Sequence, residues 1–430
     1  MSDARPFDGV TVLELGHFVA VPWAGQVLAD GGAHVIKIEP RDGEPSRHIA
    51  PLAPGESRHY VIRNRGKHAL PLELKHPHAR EILDALVRRA DVVLANMRPG
   101  LAAELGLEYE QLAPRHPRLI VGTVTAFGAK GPDAPLAGMD MVVQARSGLM
   151  VTGGKVKDGL PTTGESPIAD YMAAALLAFG VASALYRRER TGRGGRVDTS
   201  LLMAALALQN NLMVRVESVD GPPHAAFADW LAQARREAVP FAEQVERMPR
   251  NRPVAMTAIY YRTYATRDAA LAVACGSPSL RRRFIEAIGL EDPALAGGVA
   301  DVEAHYAALK RLADARLASR STAEWRTLLA KAGVPASGVA LPLEILDDPQ
   351  PAANDVFHRC EHPVLGQLTV LGPAVRLSDD GFVAAPPTPP FGSEAAAILE
   401  WAGFAAADVS RLLEGGAVTP LIGGGPPSAR

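Results

Sequence analysis

Apolar residues fall in short blocks along the first half of the chain, each closed by glycine or proline. Residues 10–15 form a nearly continuous apolar run ended by Gly16, the pattern of a strand buried on both faces. Residues 23–30 predict a short helix broken at Gly31 and Gly32, and residues 33–39 a second strand stopped by Pro40. A helix over about 78–89 leads into a strand at 91–95, and a further strand covers 119–124. Strands separated by helices of this length predict β-α-β units and a mainly parallel sheet.

The pattern then changes. Residues 170–190 predict one long, alanine-rich helix closed by Gly192 and Gly194, followed by a short strand or turn at 196–200 and an apolar helix at 201–214. From 217 to 252 the polar character rises, as in a connector. Residues 257–274 predict strands around a turn at 266–268, and helices follow at 280–288, 302–317 and 322–332. Residues 369–377 read as strand, 385–390 as a rigid polyproline-like linker and 393–413 as a helix pair.

Composition narrows the class. Lys plus Arg number 45 against 47 Asp plus Glu, a near balance that argues against a nucleic-acid binder, which carries a basic domain or stripe. The two cysteines, Cys275 and Cys360, lie far apart, which excludes a disulfide scaffold and a thiolate zinc site and fits a reducing compartment. The N-terminus shows no apolar run behind a basic start, and the longest apolar stretch, 172–186, is too short for a bilayer span. The expectation is a soluble cytoplasmic enzyme with no membrane or nucleic-acid partner.

Absent motifs narrow the chemistry. No G-x-G-x-x-G follows a predicted strand, and there is no P-loop, H-E-x-x-H or G-x-S-x-G. The histidines do not cluster at metal spacing, and no metal is expected. The informative segment is 164–175, where a loop with Gly164 and Pro167 delivers Asp170 to the start of a very apolar helix. Aspartate there is a favoured helix cap. The same placement, with apolar neighbours excluding water, suits a carboxylate nucleophile.

Ordered matches along nearly the whole chain carry a resemblance. They include residues 28–40, Asn64-Arg65-Gly66-Lys67 with Leu72-Glu73-Leu74-Lys75, residues 90–100 with Leu105-Gly106-Leu107, Phe127–Pro132, residues 144–150, and Arg188–Gly194. In these the chain resembles the class III CoA-transferases, the CaiB/BaiF family that includes formyl-CoA and carnitine CoA-transferases. The resemblance implies an α/β fold: a Rossmann-like large domain formed by both chain ends, a smaller α+β domain, and an interlocked homodimer. On that plan 1–200 is the first part of the large domain, 201–224 a linker, 225–325 the small domain, 326–345 a second linker, 346–415 the returning part and 416–430 a flexible tail.

The resemblance also implies the chemistry. The family's catalytic aspartate falls on Asp170, which would pass an acyl group and then CoA between a donor thioester and an acceptor carboxylate. Coenzyme A, as acyl-CoA co-substrate, would be lined by Val19, Ala20, Leu72, Lys75, Asn96, Met97, Arg98, Gly138, Met139 and Asp140, with Lys75 and Arg98 against phosphate oxygens. Where formyl-CoA transferases hold the nucleotide end with arginine, this chain has Pro40 and Glu104, with Arg41 one residue on; their glutamine after the first strand is Val19. An α-methylacyl-CoA racemase would need a histidine in the triplet that here reads Gly138-Met139-Asp140, and a thioether does not carry a proton. A non-catalytic acyl-CoA-binding protein would not need Asp170. Phe18, Val19, Val21 and Trp23 predict an apolar acyl site rather than one for oxalate.

Overall fold

A computed structural model describes residues 5–249, 253–378 and 381–420. By its contacts the chain divides into two compact units: one takes the residues up to Asp220, Pro240–Val245 and those from Ala352 onward, the other Gly221–Val239 and Glu246–Pro351.

The first unit is built on six strands, β1 (Thr11–Leu15), β2 (His34–Glu39), β3 (Lys67–Pro71), β4 (Val92–Ala95), β5 (Ile120–Thr125) and β6 (Gly195–Ser200). Every neighbouring pair is parallel, and the order across the sheet is β6-β5-β4-β1-β2-β3. That is a doubly wound arrangement, with its topological switch between β1 and β4. The apolar runs arise because helices cover both faces of such a sheet. One core joins Val12, Val35, Leu94 and Ile120 to α1 (Ala20–Asp30) and to the alanine-rich face of α5 (Ile168–Thr191). The opposite core joins Leu13, Ile36 and Leu70 to α3 (Ala79–Val87) and to α11 (Ala395–Ala402) and α12 (Ala406–Glu414) near the far end of the chain. Between these helices in the sequence lie α2 (Arg58–Asn64), α4 (Asp140–Arg146) and α6 (Leu201–Ala207).

Several expectations are corrected. At 24 residues, α5 is longer than the apolar stretch suggested, and by length and composition alone it could cross a bilayer. Its Ala169, Ala173, Leu177 and Val181 are packed against α1, α6 and the sheet. The connector at 217–252 contains a helix, α7 (Glu217–Arg236), with Pro222 and Pro223 inside it, which is why the sequence reads as irregular there. The expected tail begins inside the fold: Val418 bridges Leu72, and Ala417 accepts the Glu73 amide at 2.9 Å. Residues 421–430, most of that tail, and the first four residues lie outside the described residues.

The second unit has a three-stranded antiparallel sheet of β7 (Tyr261–Ala265), β8 (Ala270–Ala274) and β9 (Ala336–Gly338). Against it pack α8 (Pro278–Ala287), α9 (Val302–Ala318) and α10 (Thr322–Lys331) around Tyr260, Phe284 and Trp325. Helix α10 starts with a reciprocal Ser321–Glu324 capping box. Both α10 and β9 therefore belong to this unit, where the sequence suggested a linker from 326 to 345. Residues 366–371 supply the second strand of a hairpin in the first unit, shorter than the strand predicted at 369–377.

Candidate active site

The sheet ends in a cavity of about 570 Å³ at the carboxyl ends of β1, β4 and β5, the place where a doubly wound sheet opens a crevice. Its floor is the loop between β1 and α1. His17 and Asn96 lock the two strand ends together: the His17 amide donates to Asn96 Oδ1, and Asn96 Nδ2 donates back to the His17 carbonyl, each at 2.9 Å. Phe18 follows with φ +64, the left-handed region that a bulky side chain rarely adopts. Its amide donates to Glu44 Oε1 at 3.2 Å. Val19 precedes α1 without a capping side chain, so the positive end of that helix faces the cavity.

Beneath the loop is a buried charge network. Lys37 Nζ sits 2.8 Å from Glu14 and 2.6 Å from Glu44, and donates to the Gly16 carbonyl at 2.6 Å. Lys67 Nζ lies 2.8 Å from Glu14 and donates to Asn64 and to the Pro22 carbonyl. Gly25 is required here, because a Cβ would stand 1.9 Å from Glu14 Oε2. Burial pulls the Lys67 ammonium down to about 8 despite Glu14 beside it. These residues were not foreseen as part of the site. The signal was present as charges inside otherwise apolar parallel strands, Glu14 in β1 and Lys37 in β2.

Asp170 is the third residue of α5 and opens onto the cavity. It is not the cap of its own helix, correcting that reading. Asp140 takes the role: its Oδ1 accepts the amides of Ala169 at 2.9 Å and Asp170 at 3.2 Å, while its other oxygen accepts from Gln144. The Asp170 carboxylate has no hydrogen-bond donor among the described residues. Burial, and then the charge of Asp140, push its carboxyl up to about 7, while Arg63 works in the other direction.

Of the residues expected at the site, the cavity brings Val19, Ala20, Asn96, Met97, Arg98, Gly138 and Met139 together with Asp170. Asp140 is instead buried as the cap, with its carboxylate turned to the start of α5. Leu72 is fully buried in the second core and lines no wall. Arg41 and Lys75 are exposed and do not touch the main cavity. Their chain neighbours Pro40 and Leu74 line a smaller space of about 270 Å³ that shares His17, Met97 and Arg98 with the larger one. Arg98 is engaged by Glu104 at 3.1 Å. Of the aromatic and aliphatic residues expected near the acyl group, Phe18 and Val19 reach the cavity; Val21 is core and Trp23 packs edge-on against Tyr171. Among the described residues no three His, Cys, Asp or Glu side chains converge as a metal set.

The Asp140 cap makes a checkable prediction. Asp140→Ala leaves two amides at the start of α5 without their acceptor and lowers the stability of the first unit by about 1–3 kcal/mol. Asp140→Asn keeps an acceptor and removes the charge, so it costs less and brings the Asp170 titration below 7. Calorimetry and an infrared titration of the Asp170 carboxyl separate the two effects. An Asp170 midpoint unchanged in Asp140→Asn would show that the two carboxylates do not interact.

Comparison with known proteins points in one direction. Residues 7–395 match the profile of CoA-transferase family III. The chain is similar to an acetyl-CoA:oxalate CoA-transferase from Acetobacter aceti, 34% identical over 82% of this chain and 85% of that one. It is also similar to a cinnamoyl-CoA:phenyllactate CoA-transferase from Clostridium sporogenes, 28% identical over 96% of this chain and 97% of that one. A crystal structure of Rv3272 from Mycobacterium tuberculosis superposes with a TM-score of 0.73 at 28% identity, over 92% of this chain and 99% of that one.

Proposed function

The chain belongs to CoA-transferase family III, and on that premise we propose that it moves CoA from an acyl-CoA thioester to a free carboxylic acid with Asp170 as the covalent nucleophile. An Asp170 oxygen attacks the thioester carbonyl, the C–S bond breaks, and an acyl-aspartyl anhydride and CoA thiolate result. The thiolate attacks the aspartyl carbonyl, giving an aspartyl-CoA thioester and releasing the donor acid as carboxylate. The acceptor carboxylate attacks that thioester, and the freed thiolate attacks the acceptor carbonyl of the new anhydride. Asp170 is regenerated as carboxylate, and no proton is gained or lost overall.

The observation that carries this reading is Asp170 itself: a carboxylate without hydrogen bonds among the described residues, presented into a cavity by a helix start whose amides Asp140 satisfies. A carboxylate stripped of donors is a stronger nucleophile than a solvated one. The smaller space, which shares His17, Met97 and Arg98 with the cavity, gives room and, through Arg98, charge for the rest of a CoA molecule. The same reading takes the working enzyme to be a cytoplasmic homodimer. The racemase alternative is weakened, since Asp140 is committed to capping α5 and Met139 carries no titratable group.

Val19, Ala20, Leu136 and Leu201 in the wall favour an acyl group with an apolar part, at about 0.8 kcal/mol per buried CH₂. A second carboxylate would be poorly paired there. Incubation with panels of acyl-CoAs and free acids, read by mass spectrometry, should yield new thioesters and a hydroxylamine-trappable adduct on Asp170. Acids with a hydrocarbon part should exceed oxalate in kcat/KM. A label on Glu165, or on no carboxylate, would remove Asp170 from its role, and a tenfold preference for oxalate would overturn the pocket assignment.

A further inference from the structure

Six cationic side chains are buried among the described residues, and five of them are closed by a carboxylate: Lys37, Arg47, Arg65, Lys67 and Arg188 each have one within 2.8 Å. Arg63 is the exception. It is 6% exposed and has no carboxylate within 4.0 Å among the described residues. A buried charge without a partner is costly and calls for a compensating one nearby.

Arg63 lies in the last turn of α2 and is held in place by neutral groups. Its Nε donates to the Tyr171 hydroxyl at 3.2 Å, its Nη1 donates to the His59 carbonyl at 3.1 Å, and the guanidinium stands over the Tyr171 ring at 5.6 Å. Tyr171 is in turn fixed edge-on by Trp23 of α1. It is the residue next to Asp170 in the first turn of α5. Resting on the assignment of Asp170 as nucleophile, we infer that Arg63 is a positioning residue for it: clamped to the first turn of α5 through Tyr171, Arg63 supplies the buried positive charge that keeps Asp170 in its attacking, ionised form.

The charges around Asp170 make the role specific. From α4, Asp140 opposes ionisation; from α2, Arg63 favours it. His59, beside Arg63, is held neutral by burial and by that guanidinium. His17 in the cavity wall is likewise held neutral by burial, and Arg196 is closed by Glu110 at 2.9 Å and Asp198 at 2.6 Å. With Asp170 acylated, Asp140 and Arg63 cancel. With Asp170 ionised, the group carries one net negative charge. Each half-reaction therefore switches the local charge by one, and Arg63 sets how readily the ionised state is reached.

The test compares Arg63→Gln, Arg63→Lys and Tyr171→Phe with the parent enzyme. Two readouts are used: an infrared difference titration of the Asp170 carboxyl against Asp170→Asn, and kcat/KM against pH. Removing an opposite charge at this range moves a carboxyl by about one pH unit or more. Arg63→Gln should therefore raise the Asp170 midpoint by about one pH unit and lower kcat/KM roughly tenfold on the acid side, with the alkaline plateau within about threefold. Arg63→Lys should restore the midpoint. Tyr171→Phe, which removes the hydrogen bond and keeps the charge, should leave it near the parent value. An unmoved midpoint in folded Arg63→Gln, or an equal loss at every pH, assigns Arg63 a packing role and overturns the inference. If Arg63→Gln does not fold, a midpoint in Arg63→Lys displaced by a unit or more overturns it. The infrared titration needs no turnover, so a failure of this inference stays distinct from a failure to trap the Asp170 adduct.

Discussion

Asp170→Asn is expected to lower CoA transfer by about a thousandfold or more while making the first unit more stable above neutral pH. The activity loss follows from removing the oxygen that forms the anhydride. The stability gain follows from the environment of the same group. In the folded chain burial and Asp140 raise the Asp170 carboxyl from 3.8 to about 7. Between those values the native state holds a proton that the unfolded chain has lost, so native stability falls as pH rises through this window and is flat above it. A carboxyl raised that far costs at most about 4 kcal/mol when ionised, and partial solvent access brings the expected figure to about 1–3 kcal/mol. Asparagine does not ionise, so the variant and parent should unfold alike at pH 4 and differ at pH 8, the variant melting higher. Calorimetry at the two pH values checks this. A variant less stable than the parent at pH 8 would mean that Asp170 serves the fold rather than burdening it.

Glu14→Ala is expected to cost the first unit about 3–5 kcal/mol, because it strands the buried Lys67 instead of deleting an isolated contact. Lys37 keeps Glu44 at 2.6 Å, but Lys67 loses its carboxylate at 2.8 Å. Burial already holds Lys67 at about 8 with Glu14 present, so without Glu14 it gives up its proton at lower pH. Where the unfolded chain binds a proton that the native state has released, stability rises with pH. The deficit of Glu14→Ala should therefore shrink between pH 7 and 8 and be largest in mild acid. Glu14→Gln keeps oxygen and nitrogen in the same space and should lose less. Activity should fall with stability, since Lys37 also ties the Gly16 carbonyl at the entrance to the Phe18 loop. Chemical denaturation at pH 6, 7 and 8 checks the sign. A deficit that grows with pH would place the proton elsewhere.

How much of this was legible beforehand differs from residue to residue. The strands at 10–15, 33–39, 91–95 and 119–124 were readable because burial on both faces forces a local apolar run, and α5 because its alanine-rich period extends over many turns. Val19, Ala20, Asn96, Met97 and Asp170 fall at strand ends and a helix start, and a parallel sheet gathers such points at one edge. The strand β3, whose Lys67, His68 and Pro71 break any apolar run, and the helix α7, with two prolines, carried no such local mark.

Partners in space were decided by tertiary structure. Asp140 caps a helix 29 residues further along, which no spacing within either segment announces, and it displaced Asp170 from the cap it was expected to fill. Arg63 reaches Tyr171 across 108 residues, and Glu14 meets Lys67 across 53. Arg98 lines the cavity and also pairs with Glu104 at 3.1 Å, a partner found only in the folded chain. The sequence alone determined which faces are buried and which motifs lie at the ends of elements, because hydrophobic period is a local property of the backbone. Which charge answers which was settled only in the folded chain. Electrostatic free energy depends on distance and on the water excluded between groups, and both are set by strand order and helix packing rather than by position along the chain.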